Sequence, residues 1–307
     1  MKSLKNLCHV RENLILRSKI IKEIRNFFAS RDYLEVDTPV RIPAPAPEEH
    51  IDAQSSGNWF LQTSPELCMK RLLAEGYPRI YQICKVFRQK ERGRRHLPEF
   101  SLLEWYVQGA SYLNIMQQTE EMIRYVAQTL GCRDSILYQN QKVDLRPPWL
   151  KISLKEAFET FASVSMETAL NENRFDEIMI FDIEPKLPEQ KPVFLYDYPA
   201  CRAALARLKP ENPNLAERFE LYIGGLELCN GFTELKDPVE QRERFERELH
   251  HRLISGKSVY PMPEKFLESL KDMPPAAGNA MGIDRLVMLF SDAKSIDEVV
   301  TFTPEQL

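Results

Sequence analysis

A carboxylate and a phenol stand at alternate positions of a segment that is typical of a β-strand. Glu104 and Tyr106 share one face of the segment Phe100–Val107 with Phe100, and the apolar residues between them share the other face. A carboxylate set between apolar neighbours is costly to bury without a partner. The pattern therefore predicts a surface for a cationic ligand, and a solvated sheet face is the alternative interpretation.

A second pair of carboxylates flanks Gly224–Gly225, a dipeptide that predicts a two-residue hairpin turn. With this turn Tyr222 opposes Glu227, and Glu220 lies diagonal to Glu227 on the same face. Two carboxylates on a rigid face repel each other or share a cation, and so small a set of oxygen ligands suits Mg²⁺ that arrives with phosphates. The alternative interpretation is two unrelated surface acids.

The strand after this turn carries three further candidate site residues, which do not alternate in step with Glu227. Asn230, Phe232 and Glu234 share one face with one another, but by simple alternation Glu227 faces the other side. If all of them serve one site, an extra residue must shift the alternation. We therefore predict a β-bulge near Cys229–Gly231.

Cations cluster in the loop before the first of these strands. Residues 85–96 contain a single acid, Glu91, and a guanidinium can grip phosphate oxygens through a planar fork of donors. Arg285 stands in the first turn of a predicted helix opened by Gly282, where free N–H groups already favour an anion. The loop could instead be solvated, or could meet an acidic partner surface. If the loop meets an acidic partner, we expect Arg92 and Arg94 to contact it. The basic residues of the loop are Lys85, Arg88, Lys90, Arg92, Arg94, Arg95 and His96.

Composition places the chain among ordinary globular proteins. Of its 307 residues 43% are hydrophobic and 28% are charged, and 41 Lys and Arg against 45 Asp and Glu leave a net charge of −4. These values exclude bulk disorder and predict no general attraction to nucleic acid. No apolar run is long enough to span a membrane, residues 1–10 lack a signal-peptide block, and the 6 cysteines form no CxxC pair. We expect a cytoplasmic protein with no membrane partner.

Hydrophobic periodicity and capping signals predict the framework that positions these groups. Antiparallel hairpins separated by helices predict an α+β fold, an antiparallel sheet flanked by helices, rather than a doubly wound sheet. The predicted strands are Tyr33–Val40, Trp59–Thr63, Ile80–Phe87, Phe100–Val107, Phe194–Tyr198 and the hairpin Glu217–Leu235. The predicted helices are Leu14–Ala29, a helix with Ser64 as N-cap and Pro65 at N1 that ends at Gly76, Tyr112–Leu130, a helix from Ser153 with Glu156 in a capping box, Asp237 to Gly256, and Ile283–Phe290.

Taken together, these segments resemble the catalytic domain of the class II aminoacyl-tRNA synthetases. Tyr33–Pro39 is similar to the first motif of that family, Phe87–Phe100 to the second and Gly282–Arg285 to the third. The finer resemblance is to the lysine branch, and it is carried by Thr63–Leu67, Lys70–Leu72, Glu104–Tyr106 and Arg218–Leu235. Because only residues 1–10 precede the first-motif helix, we expect one domain over 1–307 without an anticodon-binding domain.

A lysine-branch catalytic domain without an anticodon-binding domain is similar to the ligases that attach (R)-β-lysine to a lysine side chain of elongation factor P. Ala280 favours the same family, since it stands where lysyl-tRNA synthetases have glycine. The resemblance implies an enzyme that uses ATP and Mg²⁺, acts on (R)-β-lysine or lysine and on elongation factor P, and forms a homodimer through the first motif. It implies no tRNA partner. Two alternatives stay open, a lysine-activating or tRNA-charging relative and a pseudo-synthetase without catalysis.

The resemblance also assigns roles to the motif residues. Arg88 and Arg285 would be the catalytic cations, because a carboxylate must attack the α-phosphate in line while pyrophosphate leaves. No side-chain nucleophile is required, and an amine then attacks the acyl-adenylate. ATP would contact Arg88, Gln89, Lys90, His96, Leu97, Phe100, Glu227, Leu228, Gly282 and Arg285, with Mg²⁺ on Glu220 and Glu227. The amino acid would contact Ser64, Pro65, Glu66, Glu104, Tyr106, Asn230, Phe232, Glu234 and Ala280.

Two positions depart from the second motif of the family. Lys90 replaces the usual glutamate, with Glu91 one place later, and Leu97 replaces the polar residue that usually follows His96. Either Lys90 takes up phosphate charge, or the loop slips so that Glu91 serves instead. The intact spacing to His96 and Phe100 counts against a slip.

Overall fold

The computed structural model describes the backbone of residues 4–307 and the side-chain environments of residues 10–307. The strands are β1 (Leu34–Glu35), β2 (Arg41–Ile42), β3 (Ser55–Ser56), β4 (Trp59–Leu61), β5 (Arg79–Phe87), β6 (Glu99–Gln108), β7 (Ser135–Tyr138), β8 (Gln141–Asp144), β9 (Leu150–Ser153), β10 (Val193–Pro199), β11 (Leu208–Lys209), β12 (Asn212–Ile223), β13 (Leu226–Thr233) and β14 (Ala276–Gly282). The helices are α1 (Leu4–Ala29), α2 (Glu66–Ala74), α3 (Tyr112–Thr129), α4 (Leu154–Phe161), α5 (Met166–Asn171), α6 (Phe175–Ile178), α7 (Pro238–Ile254), α8 (Glu264–Ser269) and α9 (Ile283–Ser291).

One mixed sheet organises the molecule. Its strand order is β1-β5-β6-β14-β13-β12-β10-β9, and β11 pairs with β12. The β1–β5 and β9–β10 pairs are parallel, whereas the remaining pairs of this sheet are antiparallel. The predicted α+β class is confirmed, and the antiparallel strands β6, β14, β13 and β12 lie next to one another at its centre.

Helices cover the two faces of this sheet unequally. Helices α1, α3 and α9 pack against one face, where Phe28, Trp105 and Met281 belong to the largest buried cluster. Each large apolar side chain buried in this way contributes roughly 1.5–3 kcal/mol. Helix α2 packs on the opposite face of β6 and against α8, and Leu73 and Tyr106 belong to a second cluster there. The rest of that second face forms the floor of a cleft.

Two predicted elements of the first motif have different bounds. Helix α1 begins at Leu4 rather than at Leu14. The predicted strand Tyr33–Val40 is reduced to Leu34–Glu35, which pairs with β5 at the edge of the sheet. Because Pro39 has no N–H group, the chain cannot continue a regular ladder through it.

The start of α2 also differs from the prediction. The helix begins at Glu66, and Pro65 rather than Ser64 occupies the capping position. The Ser64 hydroxyl accepts a hydrogen bond from the Glu66 N–H at 3.0 Å, so it still satisfies a free donor of the first turn. Over residues 4–307, no helix is both long and apolar enough to cross a bilayer.

Candidate active site

Residues from four neighbouring strands, most of them polar, lie in two rows across the floor of the cleft. Residues that pair directly in a β-ladder face the same side of the sheet. One row, from β6 to β12, consists of Glu104, Ala280, Asn230 and Glu220. The adjacent row consists of Tyr106, Gly278, Phe232 and Arg218. Strand β14 therefore brings the polar faces of the two predicted hairpins together.

The predicted bulge is present, but it lies at Leu228. Glu227 pairs with Tyr222 and the pairing resumes at Cys229, so Leu228 is the extra residue. The bulge is closer to the turn than predicted, because β14 pairs without interruption with the rest of β13. The shift of alternation places Glu227 on the cleft side together with the polar residues beyond the bulge.

The cleft encloses about 1150 Å³, and both candidate catalytic arginines line it. Arg285 donates through Nη1 to the main-chain oxygen of Glu227 at 2.8 Å and to its carboxylate at 3.1 Å. The Nη2 atom of Arg285 lies 2.7 Å from Nε2 of His96, and burial together with this cation lowers the pKa of His96. Arg88 lies 5.1 Å from the ring centroid of Phe100. Cations from distant parts of the chain thus converge on one surface that suits a polyanion.

Carboxylates crowd the part of the cleft between β12 and β13. Glu220 accepts hydrogen bonds from Arg218 and Tyr222, each at 2.8 Å, and burial raises its pKa. Glu184, which was absent from the predicted site, has a pKa raised to about 7 by burial and then by Glu220 and Glu227. Repulsion of this kind fits a divalent cation. Among the described residues no three His, Cys, Asp or Glu side chains form a ligand group, so phosphate oxygens and water would complete such a site.

The other end of the cleft contains a buried carboxylate with two hydroxyl donors. Ser64 donates to one oxygen of Glu104 at 2.6 Å, and Tyr106 donates to the other at 2.8 Å. Glu104 is 1% exposed. Burial, followed by the charge of Glu66, raises the pKa of Glu104 to about 8. A cationic ligand at this carboxylate would favour its ionised form.

A buried lysine that was absent from the predicted site lies beside this carboxylate. The Lys70 side chain has no exposed surface, donates to Glu66 at 2.6 Å and contacts Glu234. Burial raises the pKa of Glu234 to about 8, although Lys70 acts in the opposite direction. Glu66 and Lys70 have the i,i+4 spacing of a helical ion pair. That spacing is the sequence signal that could have identified Lys70.

Small residues of β14 make room for this acidic pocket. A Cβ atom at Gly278 would lie 2.3 Å from the ring of Tyr106 and 2.9 Å from Glu234. Both distances are too short for a side chain, so only glycine fits between them. Ala280 places its methyl group in the row between Glu104 and Asn230.

The second-motif loop brings Glu91, and not Lys90, to the cleft. Lys90 is exposed and has a left-handed φ of 68°. Glu91 lines the cavity, with its carboxylate 3.9 Å from Arg88. The β5–β6 pairing continues in register as far as Phe87, so the strands have not slipped. A single left-handed residue therefore changes which side chain enters the cleft.

Most of the predicted ligand-contact residues line the cavity. They are Ser64, Glu66, Arg88, His96, Leu97, Phe100, Glu104, Tyr106, Glu220, Glu227, Leu228, Asn230, Phe232, Glu234, Ala280, Gly282 and Arg285. Pro65, Gln89 and Lys90 do not belong to this lining, because Pro65 is buried at the start of α2 and the other two side chains point to solvent. The contacts of all these residues with ligands stay predictions.

The arginines that were expected to face an acidic partner are bound within the chain. Arg92 forms ion pairs with Asp297 at 3.0 Å and with Glu305 at 2.8 Å. Arg94 donates to the main-chain oxygen of Lys294 at 2.7 Å. The loop is thus attached to the C-terminal segment, and contact of Arg92 and Arg94 with an acidic partner stays a prediction.

The fold agrees with comparisons to known proteins. The family profile "tRNA synthetases class II (D, K and N)" matches residues 5–306, and the chain belongs to this family. The resemblance inferred from the three motifs is therefore confirmed.

Three relatives narrow this assignment. The chain is 36% identical to an elongation factor P–(R)-β-lysine ligase of Erwinia tasmaniensis, over 96% of this chain and 95% of that protein. It is 38% identical to the ligase of the same name from Hamiltonella defensa, over 96% of this chain and 95% of that protein. It is also 36% identical to a lysine–tRNA ligase of Moorella thermoacetica, over 95% of this chain and 65% of that protein. All three relatives are ligases by name, which confirms the predicted enzyme class.

Proposed function

We propose that the protein adenylates (R)-β-lysine or lysine with ATP and transfers the acyl group to a lysine side chain of elongation factor P. The names of the Erwinia and Hamiltonella relatives support this acceptor. The observation that carries the proposal is the charge of the buried pocket around Glu104.

The charge count of this pocket matches a substrate with two ammonium groups. Three carboxylates, Glu66, Glu104 and Glu234, meet one lysine, Lys70. When all four groups are ionised, the pocket has two uncompensated negative charges. Lysine and β-lysine each carry two ammonium groups and one carboxylate, and the carboxylate is the group that reacts with ATP. Such a ligand would neutralise the pocket and leave its carboxylate near the arginines.

The opposite end of the cleft suits the triphosphate. Arg88 and Arg285 would bind phosphate oxygens through their planar forks, and Phe100 would stack on the adenine. Glu220 and Glu227 would hold Mg²⁺, which would neutralise charge as pyrophosphate leaves. Because these groups are preorganised at the cleft wall, they stabilise the extra charge of the in-line transition state without rearrangement.

Two features of the molecule support two further parts of the proposal, a homodimer and a location in the cytoplasm. Leu34 of the first motif is an exposed apolar residue of the edge strand β1, as expected for a homodimer interface. Cys68, Cys84, Cys132, Cys201 and Cys229 are free, which fits the reducing cytoplasm. Light scattering of wild type and Leu34→Asp tests the dimer, since the variant should have half the mass of the wild type.

The acceptor and the amino acid are tested together by mass spectrometry. The protein is incubated with ATP, Mg²⁺ and elongation factor P, with (R)-β-lysine in one sample and lysine in another. We expect the mass of the factor to increase by one lysyl group, and the faster sample identifies the amino acid. Lysine tRNA in a parallel sample tests the activity named by the Moorella relative. An unmodified factor together with charged tRNA would contradict the proposal.

A further inference from the structure

Glu48 lines the cleft, and none of the roles above uses it. It lies in the loop between β2 and β3, and it is partly buried. We propose that Glu48 accepts a proton from the incoming lysine amine when the acyl group is transferred. This inference rests on the proposed function, since it concerns the second step of that reaction.

The charged groups that face Glu48 come from both halves of the cleft. Arg88 from the nucleotide end and Arg218 from β12 lower the pKa of Glu48, whereas Glu66 from the amino acid end and Glu248 from α7 raise it. Burial is the largest influence and raises the pKa to about 7. Glu48 lines the same cleft as Arg88, Arg218, Glu66 and Glu248, and the reacting carbonyl carbon must lie in this cleft.

A buried arginine holds the loop of Glu48 in place. Arg252 of α7 has no exposed side-chain surface and donates to the main-chain oxygens of Glu48 at 2.7 Å and of Ile51 at 3.0 Å. It also donates to the carboxylate of Asp52 at 2.8 Å. The main-chain oxygen of Asp52 in turn accepts from the N–H of Gln89 at 2.6 Å. The loop is thus tied to the residue next to Arg88, which gives the main chain of Glu48 a defined position.

The chemistry of acyl transfer requires a proton acceptor at this position. A lysine amine has a pKa of about 10.4, so at neutral pH it arrives protonated and its nitrogen has no free electron pair. Glu48 takes one proton, and the nitrogen pair then forms the C–N bond with the acyl carbon. The C–O bond to AMP breaks with its electrons on the phosphate, and the second nitrogen proton passes to that phosphate or to water. A carboxylate of raised pKa is a stronger base than an ordinary one, as this role requires.

The test compares two nucleophiles in the Glu48→Gln variant. Hydroxylamine is unprotonated at neutral pH and needs no base, whereas the lysine of elongation factor P does. We expect ATP–pyrophosphate exchange and hydroxamate formation to stay within about twofold of wild type. Transfer to the factor should fall by roughly 100-fold or more at pH 7, which is the usual contribution of a general base. It should recover as the pH approaches the pKa of the amine.

Two further variants control for loop structure. Glu49→Gln changes the neighbouring carboxylate, which lies near His251 and His50, and should leave transfer unchanged. Glu48→Asp keeps a carboxylate on the same loop and should retain part of the transfer activity. Normal transfer by Glu48→Gln, or an equal loss of exchange and transfer, would overturn the inference. Absence of exchange in the wild type would instead contradict the proposed function.

Discussion

Arg285 binds Glu227 twice, through the main-chain oxygen at 2.8 Å and through the carboxylate at 3.1 Å. A cation expected to contact ATP is thus paired with a carboxylate expected to hold Mg²⁺. In the proposed function, a magnesium nucleotide would offer both residues stronger partners, phosphate for the guanidinium and the metal for the carboxylate. The ion pair would then keep both groups in position on the cleft wall until the nucleotide binds.

Replacing Arg285 by lysine should remove most of the adenylation activity. Lysine keeps the charge but loses the planar fork that contacts Glu227 and His96 together. We expect ATP–pyrophosphate exchange to fall by roughly 10²-fold or more, the usual effect of removing one preorganised donor. Arg92→Lys is the matched control, because Arg92 pairs with Glu305 and Asp297 outside the cleft. A comparable loss in both variants would argue against a specific role for Arg285.

Binding of lysine should become tighter as the pH rises from 6 to about 8.5. The pKa values of Glu104 and Glu234 are raised to about 8, so both carboxyls are largely protonated at pH 6 in the free protein. A substrate with two ammonium groups binds the ionised forms and therefore displaces protons. Calorimetry in buffers of different ionisation heats would measure this release. In Glu104→Gln the pH dependence should weaken, and affinity that is independent of pH in the wild type would contradict the assignment.

The same raised pKa values predict the pH dependence of folding. In the unfolded chain these carboxyls ionise near their ordinary pKa of about 4.3, whereas in the folded protein they keep their protons up to about 8. The free energy of unfolding should therefore decrease as the pH rises between these values. Urea unfolding at several pH values measures it, with Glu104→Gln as the comparison. Saturating lysine should reduce the decrease.

Lys70→Met should destabilise the protein strongly. It leaves Glu66 and Glu234 without the buried cation that both contact. Breaking a buried ion pair from one side costs about 3–5 kcal/mol. Adding Glu234→Gln to Lys70→Met should recover part of this loss in urea unfolding above pH 8, where the carboxyl of Glu234 would otherwise have to stay protonated or be buried as an unpaired charge. Full stability of the single variant would show that the pocket does not need its lysine.

We expect the backbone conformation of Lys90, rather than its charge, to affect the binding of ATP. Glycine adopts the left-handed φ of 68° readily, whereas proline cannot. Lys90→Gly should keep the KM for ATP, because Glu91 stays beside Arg88. Lys90→Pro should raise this KM by about tenfold, the equivalent of one charge-assisted hydrogen bond of about 1.5 kcal/mol. Equal KM values in pyrophosphate exchange would show that Glu91 has no part in nucleotide binding.

Features that depend on a few neighbouring residues were predictable from the sequence. The turn at Gly224–Gly225 forms the predicted hairpin, with Tyr222 opposite Glu227. Ser153 caps α4 through the Glu156 N–H at 3.2 Å, and Asp237 caps α7. The motif residues identified the family, since their order along the chain is itself the signal. These interactions join residues that are close together in the sequence, so residue type and spacing are sufficient to predict them.

Features that depend on how distant segments meet were decided by the tertiary structure. The bulge lies at Leu228, outside the part of β13 that pairs in regular register with β14. Glu48 is positioned by Arg252, which is about two hundred residues away along the chain. Glu104 has its raised pKa because packed neighbours remove it from water. Pairing, burial and electrostatics between distant segments arise only when the whole chain has folded, so local patterns do not determine them.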